Sequence, residues 1–369
     1  MADTPLPFTP ILDKLPSAVP FVGPETLQRQ RGSSFRARLG ANESAFGTSP
    51  KAVAAMQDAA QQINWYGDAE TYGLKQALAA AHNVAPEEIV IGAGIDALLG
   101  ILVRAVVQPG TPVVTSHGAY PTFNYHVNGF GGTLEFVPYQ ADHEDWRALV
   151  ARAEAVRAPL VYFSNPDNPM GTWYSAAEVQ QLIAAIPEGR LLVLDEAYSD
   201  FAPADAIPPI DTSDRRVVRM RTFSKAHGMA GARVGYAIAH RDIITAFNKI
   251  RNHFEVNRLA QAGALASWQD KTFIAQVVEE VDRGREDYYQ TADRLGLKAI
   301  SSATNFVAID MGRDGDYARA ILNALQDDGV FIRMPGVAPL DRCIRVSVGL
   351  PEERVIFDQA LEQAIKTVG

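Results

Sequence analysis

Short apolar runs and amphipathic segments alternate along most of this chain. Apolar runs of strand length occupy residues 88–92, 111–116, 134–138, 160–164, 191–195, 216–222 and 233–239. Runs that are apolar throughout are typical of strands in a parallel sheet that helices cover on both faces. Helical patterns at 71–83 and 175–186 lie between them, and the second opens on a capping box formed by Ser175 and Glu178. This alternation predicts an α/β protein.

The two ends of the chain have a different pattern of apolar and polar residues. The first forty residues are rich in proline and have little periodicity, so we expect an extended N-terminal arm over 1–40. Long helical patterns fill 241–295, and fewer strand candidates follow them. The sequence thus predicts a large domain over 41–245, with a mostly parallel central sheet flanked by helices. A smaller α+β domain over 246–369, packed with the arm, would complete the molecule.

Composition and charge narrow the class of protein. Hydrophobic residues make up 47% of the chain and charged residues 21%, as in an ordinary soluble globular protein. The net charge of −9 argues against nonspecific nucleic-acid binding. A single cysteine, Cys343, excludes an intrachain disulfide and suits a reducing compartment. The apolar run 97–107 contains Arg104 and is too short to span a bilayer, and residues 1–17 lack an export pattern, so we expect a cytoplasmic protein.

Polar and reactive side chains follow four of the predicted strands. Asn168 lies in the turn after one strand, Asp195 ends the next, and Lys225 comes shortly after a third. A further strand leads into a glycine turn at Gly94 that opens a helix. Because ligands in open α/β sheets bind beyond the carboxyl ends of the strands, we expect these groups to meet at one edge.

Each of these features has an ordinary structural interpretation, but together they fit a pyridoxal phosphate site. An amine forms a Schiff base with the cofactor aldehyde, and a carboxylate keeps the pyridine nitrogen protonated. A glycine turn at a helix start, hydroxyls and an arginine suit the phosphate. The segment GAGIDALLG (92–100) resembles half of a dinucleotide fingerprint, but the pattern does not continue. A nicotinamide oxidoreductase is therefore disfavoured.

Three motifs carry a resemblance to a known family. SNPDNPMGT (164–172), DEAYSDF (195–201) and TFSKAHGMAGARVGY (222–236) resemble motifs of fold-type I, class I/II pyridoxal phosphate-dependent aminotransferases. The histidinol-phosphate aminotransferase group is the most similar, from residue 39 to residue 353. The resemblance implies the PLP-transferase fold type I and a homodimer. It also implies ping-pong transfer of an amino group between an L-amino acid or histidinol phosphate and a 2-oxo acid, within amino-acid biosynthesis.

The resemblance also implies a role for each matching residue. Lys225 would bond to the cofactor and shuttle the substrate α-proton, and Asp195 would pair with the pyridinium nitrogen. Asn168 and Tyr198 would bond the ring hydroxyl, and Tyr120 would stack on the ring. The groups expected to hold the phosphate are the backbone amides of Ala93, Gly94 and Ile95, the side chains of Thr222, Ser224 and Arg233, and Tyr66 from the neighbouring subunit.

Substrate recognition is expected from a different set of residues. By resemblance, Arg345 would clamp the substrate carboxylate beside Asn168, and Arg333 has the position of a substrate-phosphate ligand. Phe46 stands where many members of the group have tyrosine, and Glu255 stands where they have an amide. If Glu255 faces the pocket, it favours a cationic or imidazole-bearing substrate.

Other functions remain open on the same residues. An aromatic or basic amino-acid aminotransferase, or an amino-acid decarboxylase or lyase, would use the same cofactor groups. A non-enzymatic regulator would need a fused DNA-binding module, for which this chain has no spare length. His117 and His227 lack metal-ligand spacing, so we expect no metal site.

Overall fold

The computed structural model describes residues 6–16 and 22–369, and its helices and strands follow the predicted alternation. The helices are α1 (Pro24–Arg31), α2 (Pro50–Ala60), α3 (Tyr72–His82), α4 (Gly94–Val106), α5 (Pro121–Gly129), α6 (Trp146–Val156), α7 (Ala176–Ala185), α8 (Arg241–Ile250), α9 (Arg258–Gln269), α10 (Lys271–Arg294), α11 (Gly315–Asp327) and α12 (Pro351–Val368). The strands are β1 (Ala37–Arg38), β2 (Ile89–Gly92), β3 (Pro112–Ser116), β4 (Thr133–Val137), β5 (Tyr139–Gln140), β6 (His143–Glu144), β7 (Leu160–Ser164), β8 (Leu191–Asp195), β9 (Val217–Thr222), β10 (Gly235–Ala239), β11 (Lys298–Ala299), β12 (Phe306–Asp310), β13 (Val330–Phe331) and β14 (Cys343–Ser347).

A seven-stranded sheet forms the centre of the molecule. Its strand order is β2-β10-β9-β8-β7-β3-β4, and the five strands from β9 to β4 are parallel. β10 runs antiparallel to both of its neighbours. All seven predicted strands are present, and β7 and β8 have the predicted bounds. The prediction of a mostly parallel central sheet in an α/β fold is confirmed.

Helices cover both faces of this sheet because successive residues of each buried strand point to opposite sides. On β7, Leu160 and Tyr162 join a core with residues of α4, α5 and α8. Val161 and Phe163 join a second core with residues of α6 and α7. The apolar run at 160–164 therefore contributes side chains to two cores, one on each face of the sheet. This explains why apolar and polar residues do not alternate along it.

A smaller antiparallel sheet lies in the C-terminal part of the chain. Its order is β11-β12-β14, and it packs with α10, α11 and α12 around Phe306 and Phe357. β1 pairs in parallel with β13, where Ala37 lies opposite Val330. The segment after α1 therefore runs beside the small sheet before the chain enters the large one.

The expectation of an extended arm over 1–40 is wrong for residues 24–31, which form α1. Pro24 occupies the first helical position, where its fixed φ favours a helix and its missing N–H costs nothing. Gly32 ends the helix in the left-handed conformation, with φ of 73°. These local signals outweigh the general richness in proline. Residues 1–5 and 17–21 of the expected arm lie outside the described residues.

The helices after the large sheet contact that sheet and its helices. α8 packs against α4 and β2, and α9 packs against α2 and α3. The division at residues 245 and 246 stays a prediction. Across residues 6–16 and 22–369, every helix is too short or too polar to cross a membrane.

Candidate active site

The carboxyl ends of β7, β8 and β9 bring the predicted groups to one edge of the large sheet. Ser164 lies opposite Asp195 in the β7–β8 register, and Asp195 lies opposite Met220 in the β8–β9 register. Lys225 follows the end of β9 by three residues. Because the three strands are parallel and in register, their following turns share one cleft.

Asp195 is buried and held by two donors. The Tyr162 hydroxyl donates to Oδ2 at 2.7 Å, and the backbone N–H of Ala197 donates to Oδ1 at 2.9 Å. Burial raises the pKa of Asp195 to about 6, against the opposing effect of these hydrogen bonds. A cation placed beside this carboxylate, such as a protonated pyridine nitrogen, would favour its ionised form.

The Lys225 amine lies near the middle of the same edge. Its Nζ donates to the backbone carbonyl of Asn42 at 3.0 Å and lies 5.5 Å from the centroid of the Tyr198 ring. Burial, and next the positive charge of Arg345, lower the pKa of Lys225 to about 8. A useful fraction of the amine is therefore neutral near neutral pH, as a nucleophile or base requires.

The start of α4 forms an anion cradle. Gly94 has φ of +84°, and a Cβ atom there would lie 2.5 Å from Arg233 Nη2. The guanidinium therefore closes over the turn where the unpaired N–H groups of the helix begin. Thr222 and Ser224 lie on the neighbouring strand end, and their hydroxyls are 3.0 Å apart. Helix amides, a guanidinium and two hydroxyls suit a phosphate, so the residues present fit pyridoxal phosphate.

Asp96 connects this cradle to Tyr120. The Tyr120 hydroxyl donates to Asp96 Oδ1 at 2.8 Å, and Arg233 Nη2 lies 3.4 Å from Asp96 Oδ2. Burial, and next the charge of Asp96, raise the pKa of Tyr120, which stays a neutral phenol. Sequence reasoning missed Asp96, although an acid in the first turn of a helix after a glycine turn was a visible signal.

Two arginines lie at the end of the small sheet that faces this cleft. Arg345 Nη1 donates to Asn168 Oδ1 at 2.6 Å, and its guanidinium lies 5.2 Å from the centroid of the Phe306 ring. Arg333 and Arg345 are direct antiparallel partners, and their backbone groups exchange hydrogen bonds of 3.2 and 2.7 Å. Arg333 Nη2 also donates to the carbonyl of Val22 at 2.5 Å. Two cationic residues that pair across an isolated antiparallel bridge make this part of the cleft suitable for an anion.

Three further residues were predicted to belong to the site, namely Glu255, Phe46 and Tyr66. Glu255 is half-buried beside the turn before α4, since a Cβ atom on Gly92 would lie 3.2 Å from its Oε1. Phe46 packs against the core of the small sheet. Tyr66 is 77% exposed, and its ring lies 4.7 Å from that of Phe254. Within this chain, the structure therefore places Glu255 at the phosphate end of the cleft and Tyr66 on the surface.

An amine of lowered pKa, a buried carboxylate and an anion cradle, set at one edge of this sheet, define a pyridoxal phosphate-dependent enzyme of fold type I. Comparison with known proteins then specifies the family. The chain belongs to the family Aminotransferase class I and II, whose sequence profile matches residues 37–360.

Individual relatives agree with this assignment. Histidinol-phosphate aminotransferase 2 of Carboxydothermus hydrogenoformans is 34% identical over 361 residues, which are 96% of this chain and 98% of that protein. The crystal structure of histidinol-phosphate aminotransferase from Sinorhizobium meliloti, in complex with pyridoxal-5'-phosphate, has a TM-score of 0.96 at 48% identity, over 100% of both chains. The protein is a pyridoxal phosphate-dependent aminotransferase similar to histidinol-phosphate aminotransferases.

A more distant structure shares the fold alone. L-threonine-O-3-phosphate decarboxylase from Porphyromonas gingivalis has a TM-score of 0.78 at 20% identity, covering 89% of this chain and 99% of that one. The same scaffold thus also occurs in a decarboxylase, so the reaction has to be argued from the site.

Proposed function

We propose that this aminotransferase moves the amino group of histidinol phosphate to a 2-oxo acid. The observation that carries the proposal is the isolated antiparallel bridge that pairs Arg333 with Arg345 of β14, because a phosphorylated donor needs more cationic ligands than a single carboxylate does. The names of the similar proteins support the same donor. Arg345 would also bind the carboxylate of the 2-oxo acid in the second half of a ping-pong cycle.

The side chains around the cleft have separable tasks in this proposal. Bound pyridoxal phosphate supplies an aldehyde carbon for the amino group and a ring that accepts electrons from the substrate. Lys225 would take the proton from the substrate α-carbon and hold it on Nζ, which its lowered pKa allows. Asp195 holds the ring nitrogen in its protonated form. Asn168 and Tyr198 orient the ring hydroxyl, and Arg233 anchors the phosphate.

We also propose a homodimer in which the sites are shared. The exposed pair of Tyr66 and Phe254, together with the nearby exposed Trp65, supports this proposal, because large aromatic groups exposed together are typical of interaction surfaces. Tyr66 would then reach the phosphate bound by the neighbouring subunit. The reducing cytoplasm is the proposed location, which the single, buried Cys343 suits.

A half-reaction screen tests the proposed donor. The holoenzyme is mixed with histidinol phosphate, an aromatic amino acid or a basic amino acid, and the change in cofactor absorbance is followed without a 2-oxo acid. Histidinol phosphate should react with the highest kcat/KM. A higher kcat/KM for an aromatic or basic amino acid would reject the donor. Carbon dioxide release from either amino acid, which unlike histidinol phosphate carries a carboxylate, would reject aminotransfer as the main reaction. Borohydride should fix the cofactor to Lys225.

A charge-neutral variant tests the phosphate ligand. Arg333→Gln should raise the KM for histidinol phosphate by about tenfold or more, because one charge-assisted hydrogen bond is lost. Its effect on an unphosphorylated amino donor should be small. Arg283→Gln, on the exposed face of α10, is the control and should change neither KM. Equal losses for both donors with Arg333→Gln would contradict its assignment to the phosphate.

A further inference from the structure

Asn42 lies at the junction of the N-terminal segment, the large sheet and the small sheet. It is 97% buried, since only 3% of its surface is exposed. Its backbone carbonyl accepts a hydrogen bond from Lys225 Nζ at 3.0 Å and another from Asn305 Nδ2 at 3.2 Å. Lys225 lies in the turn between β9 and β10 of the large sheet, and Asn305 precedes the first residue of β12 in the small one. One carbonyl oxygen therefore ties the reactive amine to both parts of the molecule.

The side chain of Asn42 makes a second set of contacts in the same site. Its Nδ2 donates to the Tyr198 hydroxyl at 2.9 Å, and its Oδ1 accepts from the Ser347 hydroxyl at 3.1 Å. The Ser347 oxygen in turn accepts from the Asn42 backbone N–H at 3.0 Å. Every polar group of Asn42, in its side chain and in its backbone, thus makes a hydrogen bond, as a buried polar residue requires.

The backbone of Asn42 is in the left-handed region, with φ of 53°. Asparagine tolerates this region better than most residues, and the conformation turns its carbonyl toward Lys225. The loop that follows packs tightly on the Lys225 turn. A Cβ atom on Gly228 would lie 1.9 Å from the carbonyl oxygen of Gly47, and the Thr48 hydroxyl donates to the Gly228 carbonyl at 2.7 Å. This close approach leaves the Asn42 carbonyl little freedom to move away.

We propose that Asn42 is a positioning residue of the aminotransfer reaction, whose carbonyl orients the Lys225 amine while its side-chain amide orients the Tyr198 hydroxyl. The inference rests on the proposed role of Lys225 as the proton carrier. A neutral amine that donates one hydrogen to the carbonyl directs its lone pair elsewhere, so the contact selects the orientation of the base. Charges on Arg345, Arg233, Asp96 and Glu43 also act on the amine, and a change at Asn42 alters none of these side chains.

Two substitutions separate the contributions of the side chain and of local charge. Asn42→Gly keeps a backbone that adopts positive φ without strain and removes both side-chain hydrogen bonds. It should lower kcat by about tenfold, the equivalent of a hydrogen bond of typical strength, and change the KM for the amino donor by less than about threefold. Asn42→Asp keeps the shape and adds a negative charge. It should raise the pKa of the Lys225 amine in the cofactor-free protein by about one unit.

The pKa of the amine is obtained from the pH dependence of the rate at which Lys225 is reductively methylated, with the methylated product followed by NMR. This measurement needs neither cofactor nor turnover. Asn83→Gly is the matched control, because Asn83 has φ of 54° at the end of α3, and it should leave kcat and the amine pKa unchanged. Asn42→Gly keeps the carbonyl, so wild-type kcat in this variant would overturn the part of the inference that concerns the side-chain amide and Tyr198. An unchanged amine pKa in a folded Asn42→Asp would overturn the part that concerns Lys225. If Asn42→Asp does not fold, kcat of Asn42→Gly decides alone. Full activity of Lys225→Ala would instead reject the role of Lys225.

Discussion

At the scale of single residues, the Ser164 hydroxyl lies between the buried carboxyl groups of Glu144 and Asp167, behind the cleft. The Ser164 Oγ atom lies 2.8 Å from Glu144 Oε1 and 3.3 Å from Asp167 Oδ1, and it has one hydrogen to donate. The Tyr139 hydroxyl already donates to Asp167 Oδ1 at 2.8 Å. Burial, and next the charge of Asp167, raise the pKa of Glu144 to about 8. The close approach of the two buried carboxyl groups therefore favours the binding of a proton next to Asn168, which contacts Arg345.

The protonation of Glu144 makes the stability of the protein depend on pH. A carboxyl group whose pKa is higher in the folded than in the unfolded state binds more protons when folded, so its contribution to stability falls as pH rises. For Glu144 this fall spans from about pH 4.5 to about pH 8. Glu144→Gln removes the titration, so the melting temperature of the variant relative to wild type should rise by about 2 °C or more from about pH 5 to about pH 8.

Calorimetry at the two pH values measures this difference. Glu154→Gln is the control, because Glu154 is an exposed residue of α6, and its offset from wild type should be the same at both values. A constant offset for Glu144→Gln as well would mean that Glu144 is ionised throughout this range.

At the scale of elements, the proposed cofactor site depends on how α4 begins. β2 ends at Gly92, and the helix starts two residues later with a glycine at positive φ. Arg233 lies above this glycine because β10 runs antiparallel beside β2 and brings its preceding turn to the same place. The anion cradle is therefore produced by the order of strands in the sheet, and its amides and guanidinium belong to segments that are distant in sequence.

Replacing this glycine separates crowding from backbone strain. Gly94→Ala places a methyl group 2.5 Å from Arg233 Nη2 and should weaken the affinity for pyridoxal phosphate by about tenfold or more, since the guanidinium must move. Gly110→Ala is a matched control, because Gly110 also has φ of +84° but nothing lies within 4 Å of its added methyl group. Titration of the cofactor-free variants measures both affinities. Equal losses would show that strain, and not contact with Arg233, determines binding.

At the scale of the whole molecule, the proposed shared site predicts complementation between an inactive and an impaired subunit. Lys225→Ala lacks the base, and Tyr66→Phe lacks the hydroxyl proposed to reach the neighbouring site. In a hybrid dimer one site carries both changes and the other carries neither. An equal mixture that exchanges subunits freely should therefore recover about a quarter of the wild-type sites.

The mixture is assayed at limiting cofactor, where loss of the Tyr66 hydroxyl has its largest effect, and its mass is measured by sedimentation. Activity equal to the mean of the two separate variants would show that each subunit completes its own site. Asn83→Gly mixed with Lys225→Ala is the control and should give only the mean.

The seven strands of the large sheet could be predicted from the sequence because each is a local apolar run, and the same holds for the reactive groups that follow them. Lys225, Asp195 and Arg233 were predictable for that reason and from their motifs. The contacts that these groups make depend on the packing of distant segments and could not be predicted from local patterns. Asn42 and Lys225 are 183 positions apart, and Tyr162 is one aromatic residue in an apolar strand until the sheet places it against Asp195. The helix at Pro24–Arg31 had local signals, whereas the position of Glu255 beside α4 had none. Local patterns encode periodicity and turn chemistry, but a hydrogen bond between distant segments depends on packing.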